Sequence, residues 1–401
     1  MRPFFKLHLI ASAAVLTLLL LPAVASAAAP APKKPADTLV FVNGDTITGT
    51  FVREIGGTVT FHSNMLGDLE IPWKNIKKIN TGTSLAIIKS GVILRSGHMP
   101  ANLPVGTLAV SHGLITVHSA NNAMIQPIPI KSAEYIVDEA SLQKQLVGHP
   151  SLLQGWNGAA TLGLTIVQAT QNQYAFNGAL SLARVIPTVS WLAPRNRTTV
   201  NYAQSYGKIT QPGYTNATGT FVPSTYTKSS IFHADAERDQ YFSPRLYYLG
   251  MTSFDHNYSQ SLNLQQIYGG GIGYTVLKSP IQELDVKAVA QYERQAFFSL
   301  TPPPPPSQSL IASTFGGTYV RKFSKSIAFT QNLSYIPAWN NLHDYSFNEN
   351  DTLSLPAYKN FSFSLGTLDT YLNDVPLTYP PTKRNSFQFT TGVTYNFKST
   401  Y

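Results

Sequence analysis

The segment that decides the fold is Asn385-Ser-Phe-Gln-Phe-Thr-Thr-Gly-Val-Thr-Tyr-Asn-Phe-Lys-Ser-Thr-Tyr401, at the end of the sequence. Apolar residues, most of them aromatic, occupy alternate positions, and the positions between them are polar. Because successive side chains of a strand point to opposite faces, this strand has one apolar and one polar face. That pattern is typical of a membrane β-barrel wall, with lipid on one side and water on the other. This segment alone leaves open the last strand of a soluble β-sandwich.

Aromatic residues at alternate positions before a terminal aromatic resemble the signal that the outer-membrane barrel assembly machinery recognises. The resemblance assigns this role to Tyr395, Phe397 and Tyr401, and it makes the assembly machinery an expected partner. Ser399 departs from the pattern, because that position is usually apolar.

The N-terminus predicts export. Arg2 and Lys6 precede an apolar stretch, residues 7–21, and Ala25-Ser-Ala27 contains small residues where a signal peptidase reads the chain. The apolar stretch is shorter than the ~20 residues of a spanning helix, so we interpret residues 1–27 as a signal peptide. The rest of the sequence has no comparable apolar run. Since only helices and closed barrels satisfy their backbone hydrogen bonds in lipid, a membrane location requires a barrel.

The composition fits a wall with one lipid face and one wet face. Charged residues are 12% of the chain and aromatic residues 11%, whereas soluble domains average about 25% charged residues. Mean hydropathy is −0.05, so the chain is not hydrophobic on average. The formal net charge is +9. Because export argues against nucleic acid, the expected partners are outer-membrane lipid and anionic lipopolysaccharide. The absence of cysteine excludes disulfides and thiolate metal sites.

The mature chain divides into four parts. We predict a disordered lead-in over residues 28–36, a small β domain over 37–137, a linker with some helical character over 138–154, and a barrel over 155–401.

The small β domain contains a repeat. Asn43-Gly44 lies between two alternating runs, which predicts a hairpin with a type I′ turn. Later in the domain, Ile128-Pro-Ile130 echoes Ile71-Pro-Trp73, and the strands before each copy are similar. We predict two SH3-like or Sm-like β units packed together, in the periplasm, with a partner that the sequence does not identify.

The barrel region contains about twelve candidate strands, an even number as single-chain bacterial barrels require. They are residues 158–167, 174–185, 198–208, 229–241, 245–254, 264–277, 283–297, 310–323, 326–335, 345–355, 361–370 and 385–397. Short links alternate with longer ones, which is the plan of short periplasmic turns and long outer loops. One link, residues 186–197, is too long for its place as a turn. The alternation places the small β domain in the periplasm.

Several motifs in the barrel resemble the family of salt-induced outer-membrane proteins, a family of unknown function. The motifs are Gly155-Trp-Asn-Gly158, Arg238-Asp-Gln-Tyr-Phe-Ser243, Phe254-Asp-His-Asn257, Tyr268-Gly-Gly-Gly-Ile-Gly-Tyr274 and the glutamate of Gln291-Tyr-Glu-Arg294. The resemblance covers residues 155–401 and implies an outer-membrane barrel, often with a small β domain in front. It implies no activity.

Two motifs invite a catalytic interpretation. The glycine run of residues 269–273 resembles a phosphate loop but lacks the Lys-Ser/Thr and the following helix. Glycine in a barrel strand more often marks a bend or a close strand contact. Asp255 and His256 with Ser259 and Ser261 could suggest a lipid esterase. Neighbours on one loop rarely give the geometry that a nucleophile needs, and no Gly-x-Ser-x-Gly elbow is present.

Polar side chains alternate along two predicted strands and would face the barrel lumen. The favoured interpretation is a packing network, with Arg238 or Arg294 as nearby cations. A selectivity ring in a solute path is the second alternative. A metal site formed by His233, Asp235 and Glu237 is the third. The candidate lumen network is His233, Asp235, Glu237, Asp285, Lys287 and Glu293.

Together the patterns predict an all-β chain in the bacterial outer membrane, a transmembrane up-and-down barrel preceded by a tandem SH3/Sm-like β domain. We expect a non-enzymatic narrow channel or stress-linked envelope component, without a cofactor. The alternatives are a barrel-type lipid hydrolase and a soluble periplasmic β-sandwich that binds a ligand.

Overall fold

A computed structural model describes most of the chain after the first 35 residues. The described residues are 36–92, 94, 97–100, 102–119, 125–168, 172–211, 213–215, 219–258, 261–297, 306–324, 327–374, 384–399 and 401. The predicted signal peptide, nearly all of the lead-in, Ser259 and most of the proline run lie outside them. The chain forms two compact units. The first unit consists of two segments, the described residues up to Ser90 and Pro104–Asp138. The second unit consists of Gly91–Leu103 and Glu139–Tyr401.

The N-terminal unit is a small β domain of ten strands joined in one sheet. Its strands are β1 (Asp37–Phe41), β2 (Thr46–Ile55), β3 (Thr58–Ser63), β4 (Gly67–Pro72), β5 (Ile76–Asn80), β6 (Leu85–Lys89), β7 (Val105–Ser111), β8 (Leu114–His118), β9 (Ile128–Pro129) and β10 (Ala133–Asp138). The predicted hairpin joins β1 to β2. Its turn is not type I′, because that type needs two residues with positive φ and only Gly44 in this turn has one.

The domain consists of two repeats, β1–β5 and β6–β10. In each repeat the four first strands pair in sequence and the fifth pairs with the first. In each repeat a proline also precedes a short 3₁₀ helix, Trp73–Asn75 after Pro72 and Ile130–Ser132 after Pro129. This order matches the predicted tandem.

The two repeats are joined by reciprocal strand pairing. The last strand of each repeat also pairs with the second strand of the other, β5 with β7 and β10 with β2. Apolar residues of both repeats form one core, including Phe51 and Phe61 from the first and Ile115 and Ile136 from the second. Each such side chain contributes about 1.5–3 kcal/mol when fully buried. The repeats are therefore halves of a single fold.

The second unit is a closed barrel of twelve strands preceded by helix α1 (Glu139–Val147). A two-stranded hairpin, β14 (Tyr214–Thr215) with β15 (Phe221–Val222), lies in one link and was not predicted. Within the described residues, none of the helices has the length and apolar character needed to span a membrane. The barrel strands are β11 (Trp156–Gln168), β12 (Asn172–Ile186), β13 (Asn196–Gln211), β16 (Thr225–Tyr241), β17 (Leu246–Asn257), β18 (Leu262–Lys278), β19 (Gln282–Phe297), β20 (Gln308–Lys322), β21 (Ala328–Pro337), β22 (Tyr345–Tyr358), β23 (Phe361–Leu372) and β24 (Asn385–Lys398).

Sequence neighbours pair antiparallel around the barrel, and β24 closes it by pairing with β11. All twelve predicted strands are present, and the soluble sandwich is wrong because the sheet closes on itself. We call the end that holds Trp156 the turn end and the opposite end the loop end. Most links at the turn end are short, but residues 187–195 form a long one. This link packs against α1, where Gln145 and Thr188 exchange two hydrogen bonds of 2.8 Å.

The two faces of the barrel wall differ as predicted. On β19 the odd-numbered residues from Asp285 to Phe297 are largely buried and the even-numbered ones are mainly exposed. The exposed side chains face outward and form an apolar belt of the kind that contacts lipid. Members of this outer belt include Leu162, Phe176, Tyr202, Tyr248, Tyr268, Ile272, Tyr292, Ile311, Phe315, Tyr335, Phe347, Phe363, Phe389, Val393 and Tyr395.

Candidate functional site

The candidate site is the lumen of the barrel, and its polar side chains form three groups. At the first group, His233 lies between two carboxylates. Its Nε2 is 2.8 Å from Asp235 Oδ1, and its Nδ1 is 2.5 Å from Asp255 Oδ1. The amide of Asn201 donates to Asp235 over 3.1 Å, and the hydroxyl of Ser181 donates to Asn201 over 2.7 Å. We call Ser181, Asn201, Asp235, His233 and Asp255 the histidine ring, because they cross four neighbouring strands.

The histidine ring follows from strand register. Ser181 is paired with Asn201 across β12 and β13, and Asn201 with Asp235 across β13 and β16. His233 is paired with Asp255 across β16 and β17. Alternation along each strand turns all of these side chains inward, so they meet at one level of the lumen.

The second group lies nearer the turn end and is centred on Arg197. Its Nε donates to Asp239 Oδ2 and its Nη1 to Asp285 Oδ2, both over 2.6 Å. Its Nη2 donates to the hydroxyl of Tyr247 over 3.3 Å, and Thr275 donates to the second oxygen of Asp285. Beside it, Lys287 pairs with Glu237. These ion pairs tie β13, β16 and β19 together across the lumen and fill the space between them.

The third group lies nearer the loop end and is centred on Glu293, which is almost fully buried. Its Oε1 accepts hydrogen bonds from the amides of Gln265 and Gln295. The carboxyl of Asp344, in the link after β21, interacts electrostatically with Glu293. Burial, together with Glu293 and Asp374, raises the pKa of Asp344 to about 7.

The structure places all six predicted lumen residues on inward-facing positions, but it distributes them over these three groups. The expected cations were wrong. Arg238 and Arg294 alternate with lumen residues and face outward, because they have the opposite parity on their strands. Arg197 takes their place, although the sequence pattern did not single it out. The signal that could have found it is a basic residue at an inward position of the neighbouring strand, β13.

The opposite half of the lumen is lined by small uncharged residues. These belong to β11, β12 and β21–β24, and they include serine, threonine, asparagine, alanine and glycine. Several inward-facing members are exposed to solvent, whereas most inward-facing residues of β18 and β19 are buried. The lumen is therefore packed along β18 and β19 and open along β12, β21 and β22, whereas Ser362, Ser364 and Thr394 on β23 and β24 are buried. The exposed members are Asn157, Ala179, Ser181, Asn332, Asn350 and Thr352.

The glycine run in β18 has a packing role. Gly269, Gly271 and Gly273 face inward, where a Cβ on Gly273 would come within 2.2 Å of the Tyr247 ring. A Cβ on Gly271 would come within 2.1 Å of the carbonyl oxygen of Ala288 on the next strand. The predicted close strand contact is thus present, and the run lies within a strand.

The esterase constellation does not form in the described residues. Asp255 faces the lumen and binds His233, whereas His256 faces outward, stacks on Phe232 and hydrogen bonds to the carbonyl of Asn263. Consecutive residues of a strand cannot act on one substrate from opposite faces. The third alternative, a metal site, finds no support either: among the described residues, no group of three or more His, Cys, Asp or Glu side chains could hold a metal ion.

The predicted assembly residues lie in two places. Tyr395 and Phe397 belong to β24 and share its outward face. Tyr401 lies beyond that strand and contacts α1. Its hydroxyl donates to the carbonyl oxygen of Lys144 over 3.2 Å, and the ammonium of Lys144 lies 4.5 Å from its ring centre. The contacts of Tyr401 therefore hold helix α1, which precedes the barrel, in place.

Comparisons with solved structures found outer-membrane barrels at low identity. An outer-membrane channel from Pseudomonas putida F1 is 11% identical, with a TM-score of 0.33, and the match covers 62% of this chain and 99% of that one. The transport unit of the autotransporter AIDA-I from Escherichia coli is 11% identical, with a TM-score of 0.27 and coverage of 64% and 96%. A bacterial polysaccharide outer-membrane secretin is 11% identical, with a TM-score of 0.27 and coverage of 61% and 97%.

A search of the curated proteins found no match. The family described as protein of unknown function, DUF481, has a model that matches residues 160–397, more than half of the chain, and the chain therefore belongs to this family.

Proposed function

We propose that this protein is an outer-membrane barrel whose open half-lumen forms a narrow, water-filled passage for small solutes. The N-terminal β domain lies in the periplasm in this proposal, because the turn end of a bacterial barrel faces that compartment. The outer belt of apolar and aromatic side chains supports a lipid environment. Far more apolar surface is exposed there than a soluble monomer normally tolerates.

The observation that carries the proposal is the solvent exposure of small inward-facing side chains on one half of the wall. Ala179 and Ser181 on β12, and Asn350 and Thr352 on β22, are exposed although they point into the barrel. In a lumen filled by side chains they would be buried, as Gln291 and Glu293 are on the opposite wall. Uncharged hydroxyl and amide groups bind water without holding an ion tightly, so such a wall suits a path for hydrated solutes.

The test is conductance in planar lipid bilayers with purified protein whose folding is checked by heat-modifiable migration on gels. Wild-type protein should give discrete current steps. Asn350→Trp puts a large ring into the open half-lumen and should reduce the size of these steps. Leu353→Trp is the matched control on the outward face of the same strand, and it should leave them unchanged. Folded wild-type barrels that insert without any current, or equal currents in the two variants, would overturn the proposal.

A further inference from the structure

The charges that face the lumen are not balanced. Away from the strand ends, the described inward-facing positions of β13 and β16–β19 carry more carboxylates than cationic groups. Arg197, Lys287 and the imidazole of His233 are the groups that can carry positive charge. The carboxylates are Asp235, Glu237, Asp239, Asp255, Asp285 and Glu293.

Ion pairing assigns the two permanent cations to the turn-end group. Arg197 lies between Asp239 and Asp285, and Lys287 pairs with Glu237. The histidine ring has no such cation, because Asp235 and Asp255 share one imidazole. The side chains of these two aspartates are 23% and 26% exposed. The excess negative charge therefore meets solvent at the histidine ring.

Buried polar atoms on the packed side of the lumen that have no hydrogen-bond partner among the described residues also indicate that donors are too few there. Asp239 is 1% exposed and Gln295 is 2% exposed. Asp239 Oδ1 and Gln295 Oε1 have no hydrogen-bond donor within the described part of the chain, and the same holds for Gln308 Oε1. A single lumen donor, Gln291 Nε2, is unpaired among the described residues. Buried acceptors without donors cost free energy, and a cation or a donor group relieves this cost.

The histidine ring also reaches the open half-lumen. Its far end is Ser181, which is exposed on the neutral wall, the half of the lumen lined by small uncharged residues. Ser181 connects through Asn201 to Asp235. A solute that moves along the neutral wall therefore passes within reach of the ring carboxylates. Rings of aspartate or glutamate favour cations because their field raises the local cation concentration and repels anions.

We infer that the passage prefers cations over anions, and that the histidine ring, through Asp235 and Asp255, sets this preference. The inference rests on the proposed function. Its ligand class is small hydrated cations, with the ammonium groups of small organic cations included, because the ring offers carboxylate oxygens beside hydroxyl and amide groups.

The experiment is the reversal potential of bilayer currents across a potassium chloride gradient. Wild-type protein should show a several-fold preference for potassium over chloride. The double variant Asp235→Asn/Asp255→Asn should lose most of this preference. The matched control is Asp351→Asn/Asp369→Asn, which removes the same charge from outward-facing positions of β22 and β23 and should keep the wild-type reversal potential.

A second pair of variants keeps the test informative if the double variant does not fold. Ser181→Asp adds a carboxylate at the exposed end of the ring and should strengthen the cation preference, whereas Ser181→Lys should weaken or reverse it. Currents without ion preference, or equal preference in both Ser181 variants, would overturn the inference while leaving the passage intact. The absence of any current from folded wild-type protein would instead overturn the proposed function.

Discussion

Glu349 on β22 lies directly opposite Asp369 on β23, and both carboxylates are on the outward face of the barrel. Asp351 follows on the same face, and Thr367 lies opposite it. The Oδ1 atoms of Asp351 and Asp369 are buried and have no hydrogen-bond partner within the described residues. Like charges directly opposite on neighbouring strands destabilise a sheet. This part of the barrel wall is therefore less stable than an uncharged one would be.

Removing one charge of this pair should stabilise the barrel. We expect Asp369→Asn to raise the free energy of unfolding by roughly 0.2–1 kcal/mol, the size of a cross-strand pair interaction. Urea titrations of refolding into lipid vesicles at pH 7 measure it. In a Glu349→Gln background, Asp369→Asn should raise the free energy of unfolding by less, because the repulsion between the two carboxylates is already absent. Additive effects in this double-mutant cycle would show that the two carboxylates do not interact.

The orientation of the wall can be tested with neighbouring residues. Leu180 faces outward and Ala179 faces the open half-lumen. Arginine on the lipid face near the middle of the bilayer costs about 2–4 kcal/mol. Leu180→Arg should therefore lower barrel stability by an amount of this order, whereas Ala179→Arg should fold and narrow the passage. Refolding yield into vesicles is the measurement. Reversed tolerances would mean that the strand is shifted by one residue, since such a slip exchanges the faces.

Sidedness can be tested by cysteine labelling, because the natural chain has no cysteine. Ser307 lies at the loop end and Ser279 at the turn end, and both are exposed. Ser307→Cys should react with an impermeant thiol reagent in intact cells. Ser279→Cys should react only after the outer membrane is opened. The opposite result would place the turn end outside the cell.

The contact of Tyr401 with α1 predicts a local effect. Tyr401→Ala removes the ring over the Lys144 ammonium and the hydrogen bond to its carbonyl. A cation–π contact of this kind contributes about 0.5–1 kcal/mol at an exposed site. We expect trypsin to cleave after Lys144 faster in Tyr401→Ala than in the wild type, with Tyr401→Phe in between. Unchanged cleavage in both variants would show that the contact does not hold the helix. A lower amount of assembled barrel would support the predicted assembly signal.

A buried carboxyl makes the N-terminal domain sensitive to pH. Glu54 is 1% exposed, and its Oε1 accepts a hydrogen bond from the amide of Gly57 over 2.8 Å. Burial raises the pKa of Glu54, and the hydrogen bond from Gly57 offsets part of this rise. The folded state therefore holds the proton more tightly than the unfolded state. Stability should fall as pH rises from the ordinary glutamate pKa, about 4.3, through the raised pKa of the folded state.

Glu54→Gln keeps the shape and removes the charge. It should stabilise the domain by about 1 kcal/mol at pH 7 and flatten the pH dependence in this window. Pulse proteolysis of the full chain in urea measures both, with Glu70→Gln as an exposed control. An equal pH slope in the wild type and Glu54→Gln would assign the sensitivity to another group.

The alternation of apolar and polar residues was enough to predict the barrel strands, since a membrane wall requires one apolar face. It also predicted which residues of β19 face outward and which face the lumen. The pairing of charges could not be predicted in the same way. Arg197 is 42 residues from Asp239 and 88 from Asp285 along the chain, and only the register of five strands, β13 and β16–β19, brings them together. The turn at Asn43-Gly44 differs from its prediction because its type depends on the φ of each residue, which composition does not specify.

The reciprocal pairing of β5 with β7 and of β10 with β2 limits how this domain can change. Ordinary repeat arrays gain or lose copies freely, because each copy contacts only its neighbours. Here the loss of one copy would leave the other with strand edges that no longer have a partner, and such edges pair with foreign chains. A third copy could not join through the same strands, because β2, β5, β7 and β10 are already paired on both sides. The reciprocal pairing therefore joins two copies and leaves no place in it for another.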